Sequence, residues 1–170
     1  MTTDMKASQL LPDHSTTTLS LDDFLCFAIY SAGHAFNQFY RPLLDAIGLT
    51  YPQYLVMVAL WSRDDQTVKA LGQKLLLDSS TLTPLLKRLE ANGHVTRVRD
   101  HQDERQVRVR LTTQGSTLRD RARAIPHCVI DALDMPKETI QDIQTNVLDI
   151  RDRLLAARAA DASRREAESD

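Results

Sequence analysis

Apolar residues recur at helical spacing over the first half of the chain. Between residues 19 and 44 they fall three or four positions apart, which predicts a long helix with one apolar stripe. Ser20 followed by Asp23 resembles a capping box that would begin this helix. After the turn residues Gly48 and Pro52, the segments YLVMVALWS and TVKALGQKLLL predict a buried second helix and a short third one. The stripe of the first helix consists of Leu21, Leu25, Ala28, Ala32, Ala35 and Phe39.

The segment SSTLTPLLKRLEANG predicts a fourth helix, which Asp78 would cap and Gly93 would end. Its leucines occupy positions i, i+3, i+4 and i+7, so one face of the helix is apolar. Pro84 conflicts with this pattern, because a proline beyond the first turn removes a backbone hydrogen bond and costs about 3 kcal/mol. The apolar face consists of Leu82, Leu85, Leu86 and Leu89.

The period changes to two in the segment HVTRVRDHQDERQVRVRLT. Val107, Val109 and Leu111 alternate with Arg108 and Arg110, and the polar stretch DHQDE separates two runs of β-forming residues. This pattern predicts a two-stranded hairpin with an exposed tip.

The last third of the chain predicts two further helices, one from about Thr113 to Ala132 and one that begins near Asp134. The second has a heptad-like apolar seam, which requires a partner helix. We therefore predict a mainly α fold with a small β-hairpin. The seam consists of Ile140, Ile143, Val147, Ile150 and Leu154.

Composition is typical of a cytoplasmic globular protein. The chain has 170 residues, of which 42% are apolar, enough for the core of one domain with an extension. It contains no apolar run long enough to span a membrane, and its start lacks the features of a signal peptide. Cys26 and Cys128 do not make a disulfide scaffold, so both are expected to be free thiols in a reducing compartment.

Basic residues are concentrated in the middle of the chain. The net charge is −2 overall, but residues 67 to 110 contain nine Lys and Arg against five Asp and Glu, a local charge of +4. A local basic excess is expected where a protein meets phosphates, although charged faces are more often only solvated.

The stretch from Asp78 to Gly115 resembles the multiple antibiotic resistance regulator (MarR) family. It has a helix ending in Leu-Glu-x-x-Gly, an arginine-rich hairpin with Asp-x-Arg at its tip, and then Leu-Thr and Gly. The resemblance implies a winged helix-turn-helix with N- and C-terminal dimerisation helices. It also implies a homodimer that binds double-stranded operator DNA with an inverted repeat. With its flanking helices the resemblance covers residues 20 to 156.

The residues agree with this interpretation. If the leucines of the fourth helix face inward, its other side mixes short hydroxyl groups with long cations, a combination suited to a DNA major groove. On the hairpin, Asp103 and Arg105 are close enough to pair, which would hold the guanidinium extended for a minor groove. The predicted DNA-binding residues are Ser79, Ser80, Thr83, Lys87, Arg88, Asp103 and Arg105. The alternative is a solvated helix and hairpin without a ligand.

The segment from Leu25 to Trp61 is similar to the organic hydroperoxide resistance regulator (OhrR-like) subgroup, whose N-terminal helix carries a peroxide-reactive cysteine with tyrosine partners. The resemblance places Cys26 at the reactive position and Tyr30, Tyr40 and Tyr51 at the partner positions. It also implies that organic hydroperoxides act as the inducer. Some members of the subgroup have a second cysteine that resolves the first across the dimer, and Cys128 is the candidate here.

Helix geometry restricts how these residues meet. Tyr30 lies one turn from Cys26 on the same face. Tyr40 is fourteen residues away, roughly 21 Å along a straight helix, so it cannot contact Cys26 of its own chain unless the helix folds back. In an antiparallel dimer, the partner's Tyr40 and Tyr51 would reach the thiol, as the resemblance implies. Two phenols donating to the thiolate would lower its pKa by roughly two units or more.

Other interpretations of the thiols remain. A packed, unreactive core cysteine is the usual fate of a free cysteine. A metal sensor using His34, His127 and Cys128 lacks compact ligand spacing, and we predict no metal and no cofactor. A thiol peroxidase would need a base for turnover that the sequence does not show, so we predict a protein that is not an enzyme. A MarR-type repressor released by a small phenolic ligand is the nearest alternative.

These predictions divide the chain into five segments. Residues 1–17 are predicted to be a disordered arm, and 18–62 to be N-terminal dimerisation and sensor helices. Residues 63–112 would form the winged helix-turn-helix, 113–160 the C-terminal dimerisation helices, and 161–170 a disordered tail. We expect the protein to be a repressor that organic hydroperoxides inactivate by oxidising Cys26, with Cys128 then forming an intersubunit disulfide.

Overall fold

The computed structural model describes residues 20–100 and 103–167. The chain divides into two compact units after Ile125. The helices are α1 (Leu25–Asp45), α2 (Tyr51–Ser62), α3 (Val68–Leu75), α4 (Ser79–Ala91), α5 (Thr113–Ala122), α6 (Ile125–Leu133) and α7 (Lys137–Ala167). The strands are β1 (Gln66–Thr67), β2 (Val95–Arg99) and β3 (Val107–Leu111). The predicted mainly α fold with a small β-hairpin is confirmed.

The core of the first unit lies among α2, α3, α4 and the sheet. The leucines of α4 point inward as predicted, with Leu82, Leu86 and Leu89 buried. They pack in one cluster with Met57 of α2 and Leu71 of α3. Capping fixes where these helices begin, because the side chains of Thr67 and Asp78 accept backbone N–H groups at the starts of α3 and α4. Helices α3 and α4 pack against α2, and each of them also contacts a strand of the hairpin.

The sheet has three antiparallel strands in the order β1-β3-β2. The predicted hairpin is β2 with β3, paired from Val95 with Leu111 to Arg99 with Val107. We refer to β2, β3 and their connection as the wing. The sequence did not predict β1, because its two residues, Gln66 and Thr67, are too few to show alternation.

The predicted start of the first helix is wrong. Ser20 caps a separate 3₁₀ turn, Leu21–Asp23, and accepts the N–H of Asp22 rather than that of Asp23. Phe24 is extended, and α1 begins at Leu25. The conflict at Pro84 does not end α4, which continues to Ala91 with its leucine face buried.

The helix predicted from 113 to 132 is divided into α5 and α6. Pro126 lies in the first turn of α6, where its missing N–H has no helical partner to lose, whereas it would have broken a continuous helix. The predicted disordered tail is wrong for residues 161–167, which continue α7. Good helix formers and an ion pair between Arg165 and Asp161 at 2.9 Å favour that helix. The predicted arm at 1–17 and residues 168–170 lie outside the described residues.

In the second unit, α7 is a helix of 31 residues without a buried side chain. The seam residues Ile143, Val147 and Leu154 are exposed in the single chain. None of the described helices is both long enough and apolar enough to cross a membrane.

Candidate DNA-binding surface and thiol site

The side of α4 opposite its leucines is polar and exposed. Ser79, Ser80, Lys87 and Arg88 are exposed there, and Thr83 is half-buried. Among the residues that the structure describes, neither Lys87 nor Arg88 forms an ion pair. This face therefore presents two charges that remain available for phosphates or base edges.

Two hydroxyl groups of this face already donate their protons to acceptors in α4 or at its N-cap. Ser80 Oγ donates to Asp78 Oδ1 at 2.7 Å, and Thr83 Oγ1 donates to the Ser79 carbonyl oxygen at 2.6 Å. Each hydroxyl oxygen still has a lone pair that can accept a hydrogen bond. In this arrangement they are better suited to accept from the amino groups of adenine or cytosine than to donate.

The tip of the wing is held by Asp103, but not through the predicted side-chain pair. Its carboxylate accepts the backbone N–H of Arg105 at 3.0 Å and the side-chain amide of Gln106 at 3.0 Å. The expectation that Asp103 pairs with the Arg105 guanidinium is therefore wrong. Asp103 fixes the backbone of the turn instead, and the Arg105 side chain is exposed.

The base of the wing carries a group of charged residues whose pairing was not predictable from the sequence. Asp65 Oδ1 accepts from Nε of Arg108 at 2.7 Å and from Nε of Arg110 at 2.9 Å. Arg108 also contacts Asp100, with Nη1 2.9 Å from Oδ2. The bonds to Asp65 tie the turn after α2 to β3. Asp65 lies more than forty positions from both arginines, so no local pattern could have revealed these two contacts.

The hydrogen bonds from Arg110 and Arg108 lower the pKa of Asp65 from 3.8 to about 2. Because the pKa is lower in the folded protein, the carboxylate contributes stability above about pH 4, and this contribution is lost as the pH falls through about 2. We expect Asp65→Asn to be less stable than the wild type at neutral pH and to lose less stability over this acid range. Chemical denaturation across that range measures both effects. Identical pH dependence in the two proteins would contradict this role of Asp65.

Cys26 lies in the first turn of α1 and is exposed in the single chain. Tyr30, one turn further, is 68% exposed. Its ring stacks on Phe27 at 6.4 Å and on His34 at 6.3 Å between centroids. In this chain the thiol is therefore not a packed core residue, which removes the main reason to regard it as inert.

Tyr40 and Tyr51 lie together at the far end of α1. Their ring centroids are 4.8 Å apart, and Tyr54 lies 6.0 Å from Tyr40. Burial and the neighbouring phenols raise the pKa of Tyr40 to about 12, and burial raises the pKa of Tyr51 and of Tyr54. All three phenols are therefore protonated at neutral pH and can donate hydrogen bonds. Tyr54 was not predicted from the sequence, although its position three residues after Tyr51 places it on the same side of α2.

Helix α1 does not fold back on itself, so it does not bring Tyr40 or Tyr51 close to Cys26 of the same chain. The helix is continuous from Leu25 to Asp45, so the cysteine and Tyr40 occupy opposite ends of it. Leu44 is the one buried residue of α1, and the helix exposes large apolar side chains along most of its length. These are Leu25, Ile29, Tyr30, Phe36 and Phe39.

Cys128 lies in α6, and it is a free, exposed thiol like Cys26. His34 and His127, which an alternative interpretation assigned to a metal, belong to no cluster of three or more potential ligands within the described residues.

Comparisons with known proteins identify the family of the chain. The family profile described as "Transcriptional regulator SarA/Rot" matches residues 38–122. The HTH-type transcriptional regulator TtmR of Methylorubrum extorquens is 50% identical over 137 residues, which are 81% of this chain and 70% of TtmR. The organic hydroperoxide resistance transcriptional regulator of Bacillus subtilis is 41% identical over 126 residues, covering 74% of this chain and 84% of the relative.

Among solved structures, reduced AbfR bound to DNA superposes with a TM-score of 0.67 at 34% identity. The match covers 79% of this chain and 94% of AbfR, a protein of Staphylococcus epidermidis. AbfR has also been solved in a disulfide-formed state, which covers 76% of this chain and 91% of that one, with a TM-score of 0.57 at 36% identity. The chain therefore belongs to the SarA/Rot-type transcriptional regulators, DNA-binding proteins with the MarR-type winged helix-turn-helix fold, and an organic hydroperoxide resistance regulator is among its relatives.

Proposed function

We propose that this regulator is a homodimeric repressor that leaves its operator when an organic hydroperoxide oxidises Cys26. The observation that carries the proposal is the position of an exposed thiol and a pair of protonated phenols at opposite ends of one continuous helix with an exposed apolar face. The similarity to the Bacillus subtilis organic hydroperoxide regulator supports the same class of inducer.

A two-fold dimer through α1 would complete the site. The exposed apolar side chains of α1 form a surface that a second copy would remove from water. If the two helices pack antiparallel, the thiol end of one lies beside the phenol end of the other. Tyr40 and Tyr51 of one protomer then donate hydrogen bonds to the Cys26 thiolate of its partner, while Tyr30 lies beside Cys26 in its own chain.

The chemistry requires only the thiolate and the peroxide. The Cys26 thiolate attacks the terminal oxygen of the hydroperoxide, the O–O bond breaks, and the alkoxide leaves and takes up a proton to become an alcohol. The sulfur loses two electrons and becomes a sulfenic acid. Hydrogen bonds from the phenols stabilise the thiolate, which is the form of the side chain that attacks peroxides. The phenylalanines around the thiol in this part of the chain favour an alkyl or lipid hydroperoxide over hydrogen peroxide. They are Phe24, Phe27, Phe36 and Phe39.

Cys128 is proposed as the resolving thiol. Its thiol condenses with the sulfenic acid of the partner's sensor cysteine, forming an S–S bond and releasing water. Both cysteines are exposed free thiols in the single chain, and the similar regulator AbfR has been solved with a disulfide formed.

The proposed DNA complex places α4 of each protomer in a major groove. The two grooves would lie about 34 to 36 Å apart on one face of the duplex, so the operator is an inverted repeat. Ser79, Ser80 and Thr83 would lie near base edges, with Lys87 and Arg88 at phosphates or guanine. Arg105, presented by the turn that Asp103 holds, would enter the flanking minor groove.

Two alanine variants separate these roles. We expect Lys87→Ala to weaken binding evenly across sequences and to reduce the slope of log affinity against log salt by about 1. We expect Arg105→Ala to weaken binding most where the flank is rich in A·T pairs, because a narrow minor groove attracts the guanidinium. Fluorescence anisotropy with operator variants over a salt series measures both. Equal wild-type affinity for the operator and for random DNA at physiological salt would contradict the model of the interface.

Mass spectrometry after one equivalent of organic hydroperoxide tests the proposed function directly. We expect Cys26 to be oxidised once and DNA binding to decrease in parallel, and a reductant to restore both. Repeated turnover of peroxide would indicate a peroxidase. An unmodified Cys26 in protein that a phenolic compound releases from DNA would instead support the ligand-controlled repressor.

A further inference from the structure

We infer that Tyr54 and Trp61 are positioning residues that couple the proposed Tyr40–Tyr51 sensor pair to the base of the wing. The inference rests on the proposed function, because it assigns the route by which a change at that site alters DNA binding. Every contact that it uses lies within the first compact unit.

The route begins beneath the sensor pair. Tyr54 is 6% exposed and its ring lies 6.0 Å from that of Tyr40. A protein interior is close-packed, so a buried ring in contact with a displaced neighbour must itself shift or resist the displacement. When the hydrogen bond to the thiolate is lost and Tyr40 moves, the movement therefore passes from the sensor pair to the buried ring of Tyr54.

Tyr54 next contacts Trp61, two turns along α2. The two rings meet edge to face, with centroids 6.2 Å apart and planes at 67°. Such contacts have a preferred geometry. A tilt of the Tyr54 ring consequently favours a matching adjustment of the indole.

Trp61 connects α2 to the start of α5. Its indole Nε1–H donates to the Gly115 carbonyl oxygen at 2.8 Å, a bond between residues 54 positions apart. The backbone of Gly115 is packed closely against that of His94. A Cβ atom at Gly115 would overlap the His94 carbonyl oxygen and lie 2.9 Å from its carbonyl carbon. The indole therefore holds a backbone segment that is pressed directly against the residue preceding β2.

The route ends at the base of the wing, where β2 begins and β3 ends. Thr112, which follows β3, accepts the Gly115 N–H at 2.9 Å and donates its hydroxyl to the Gly93 carbonyl oxygen at 2.6 Å. Its own N–H donates to the His94 carbonyl oxygen at 3.1 Å. A displacement of Gly115 thus changes the support of β2 and β3 together, and with it the position of Arg105 at the tip.

Trp61→Phe tests the coupling, because phenylalanine keeps an aromatic ring and removes the N–H donor. We expect the reduced variant to bind operator within about threefold of the wild type and Cys26 to be oxidised at the wild-type rate. Oxidation should lower operator affinity about tenfold less than it does in the wild type, a typical size for coupling between sites. Gln66→Met is the matched control, since it removes two side-chain hydrogen bonds to carbonyl oxygens near the end of α2, one of them buried, and neither bond involves Tyr54, Trp61, Gly115 or Thr112. We expect oxidation to lower the operator affinity of Gln66→Met by the same factor as that of the wild type.

Trp61 is the single tryptophan of the chain, so tryptophan fluorescence reports on the surroundings of this one indole. We expect stoichiometric cumene hydroperoxide to shift the emission of the wild type and to leave that of Cys26→Ser unchanged. This measurement tests the coupling even if Trp61→Phe does not bind DNA.

The outcomes separate the inference from the proposed function. A wild type whose Cys26 is not oxidised, or which stays on DNA when it is, overturns the proposed function and the coupling with it. A wild type that is released, together with Trp61→Phe released by the same factor, overturns the coupling alone. Unchanged tryptophan emission in oxidised wild type also overturns it.

Discussion

Cys26→Ser should remain on its operator when cumene hydroperoxide is added, under conditions that release the wild type. Serine preserves the size and polarity of the side chain but forms no sulfenic acid, so the reduced-state affinity should be unchanged. The wild type should lose affinity by about 5- to 150-fold, the usual range for coupling between two sites. Anisotropy titrations of both proteins, with and without peroxide, measure the difference.

Cys128→Ser is the companion to this experiment. It retains the sensor thiol, so it should still form the sulfenic acid, but it should lack the crosslinked dimer that oxidised wild type shows on a non-reducing gel. If Cys26→Ser were released by hydroperoxide as fast as the wild type, the thiol would have no part in the mechanism. A ligand-controlled repressor would then be the better explanation.

The DNA-binding region was predictable from sequence because its signals are local. The leucines of α4 are spaced at helical intervals, Asp78 caps the helix, and the alternation of Val107 and Val109 with arginines marks a strand. The contacts of Asp65 with Arg108 were not predictable, since they join the turn after α2 to a strand 43 residues later. Local patterns thus gave the helices and the hairpin, but not what holds the wing to them.

The errors at helix ends have a related cause. Apolar periodicity continues across residues 123–124, yet Pro126 can occupy only the first turn of a new helix. Polar composition suggested disorder from residue 161, whereas Asp161 and Arg165 pair one turn apart on α7. In the first case the apolar pattern disagreed with a backbone effect, and in the second the polar composition disagreed with a charge effect. The backbone or charge effect decided the boundary each time.

The thiol site was only partly accessible to sequence reasoning. The spacing of Cys26 and Tyr30 on one helix is a local property, whereas the packing of Tyr40 against Tyr51 depends on how α2 folds back on α1. The contact of Trp61 could not be predicted from local sequence, because its partner Gly115 lies 54 positions away at the start of another helix. A role for such residues becomes visible only when the tertiary contacts are known.

Gly115→Ala should be strongly destabilising. In the third position of a helix, alanine is ordinarily preferred over glycine by about 1 kcal/mol. Here its methyl group would overlap the His94 carbonyl oxygen, and backbone atoms cannot rotate away as a flexible side chain does. Relief requires α5 to move from β2, which stretches the hydrogen bonds that Gly115 forms with Thr112 and Trp61. We expect a loss of about 3 kcal/mol, near the upper end for overpacked sites.

For a chain of this length, such a loss lowers the melting temperature by roughly 6 to 12 °C, measured at matched protein concentration. Ser116→Ala is the control, because Ser116 is the next residue of α5 and is exposed, so alanine there meets no backbone atom of β2. We expect the control to melt within about 2 °C of the wild type, as surface substitutions usually do. Gly115→Ala should also bind operator more weakly while still folded, because β2 is one of the two strands of the wing. A variant as stable as the control would show that α5 and β2 are not in the close contact on which the support of the wing depends.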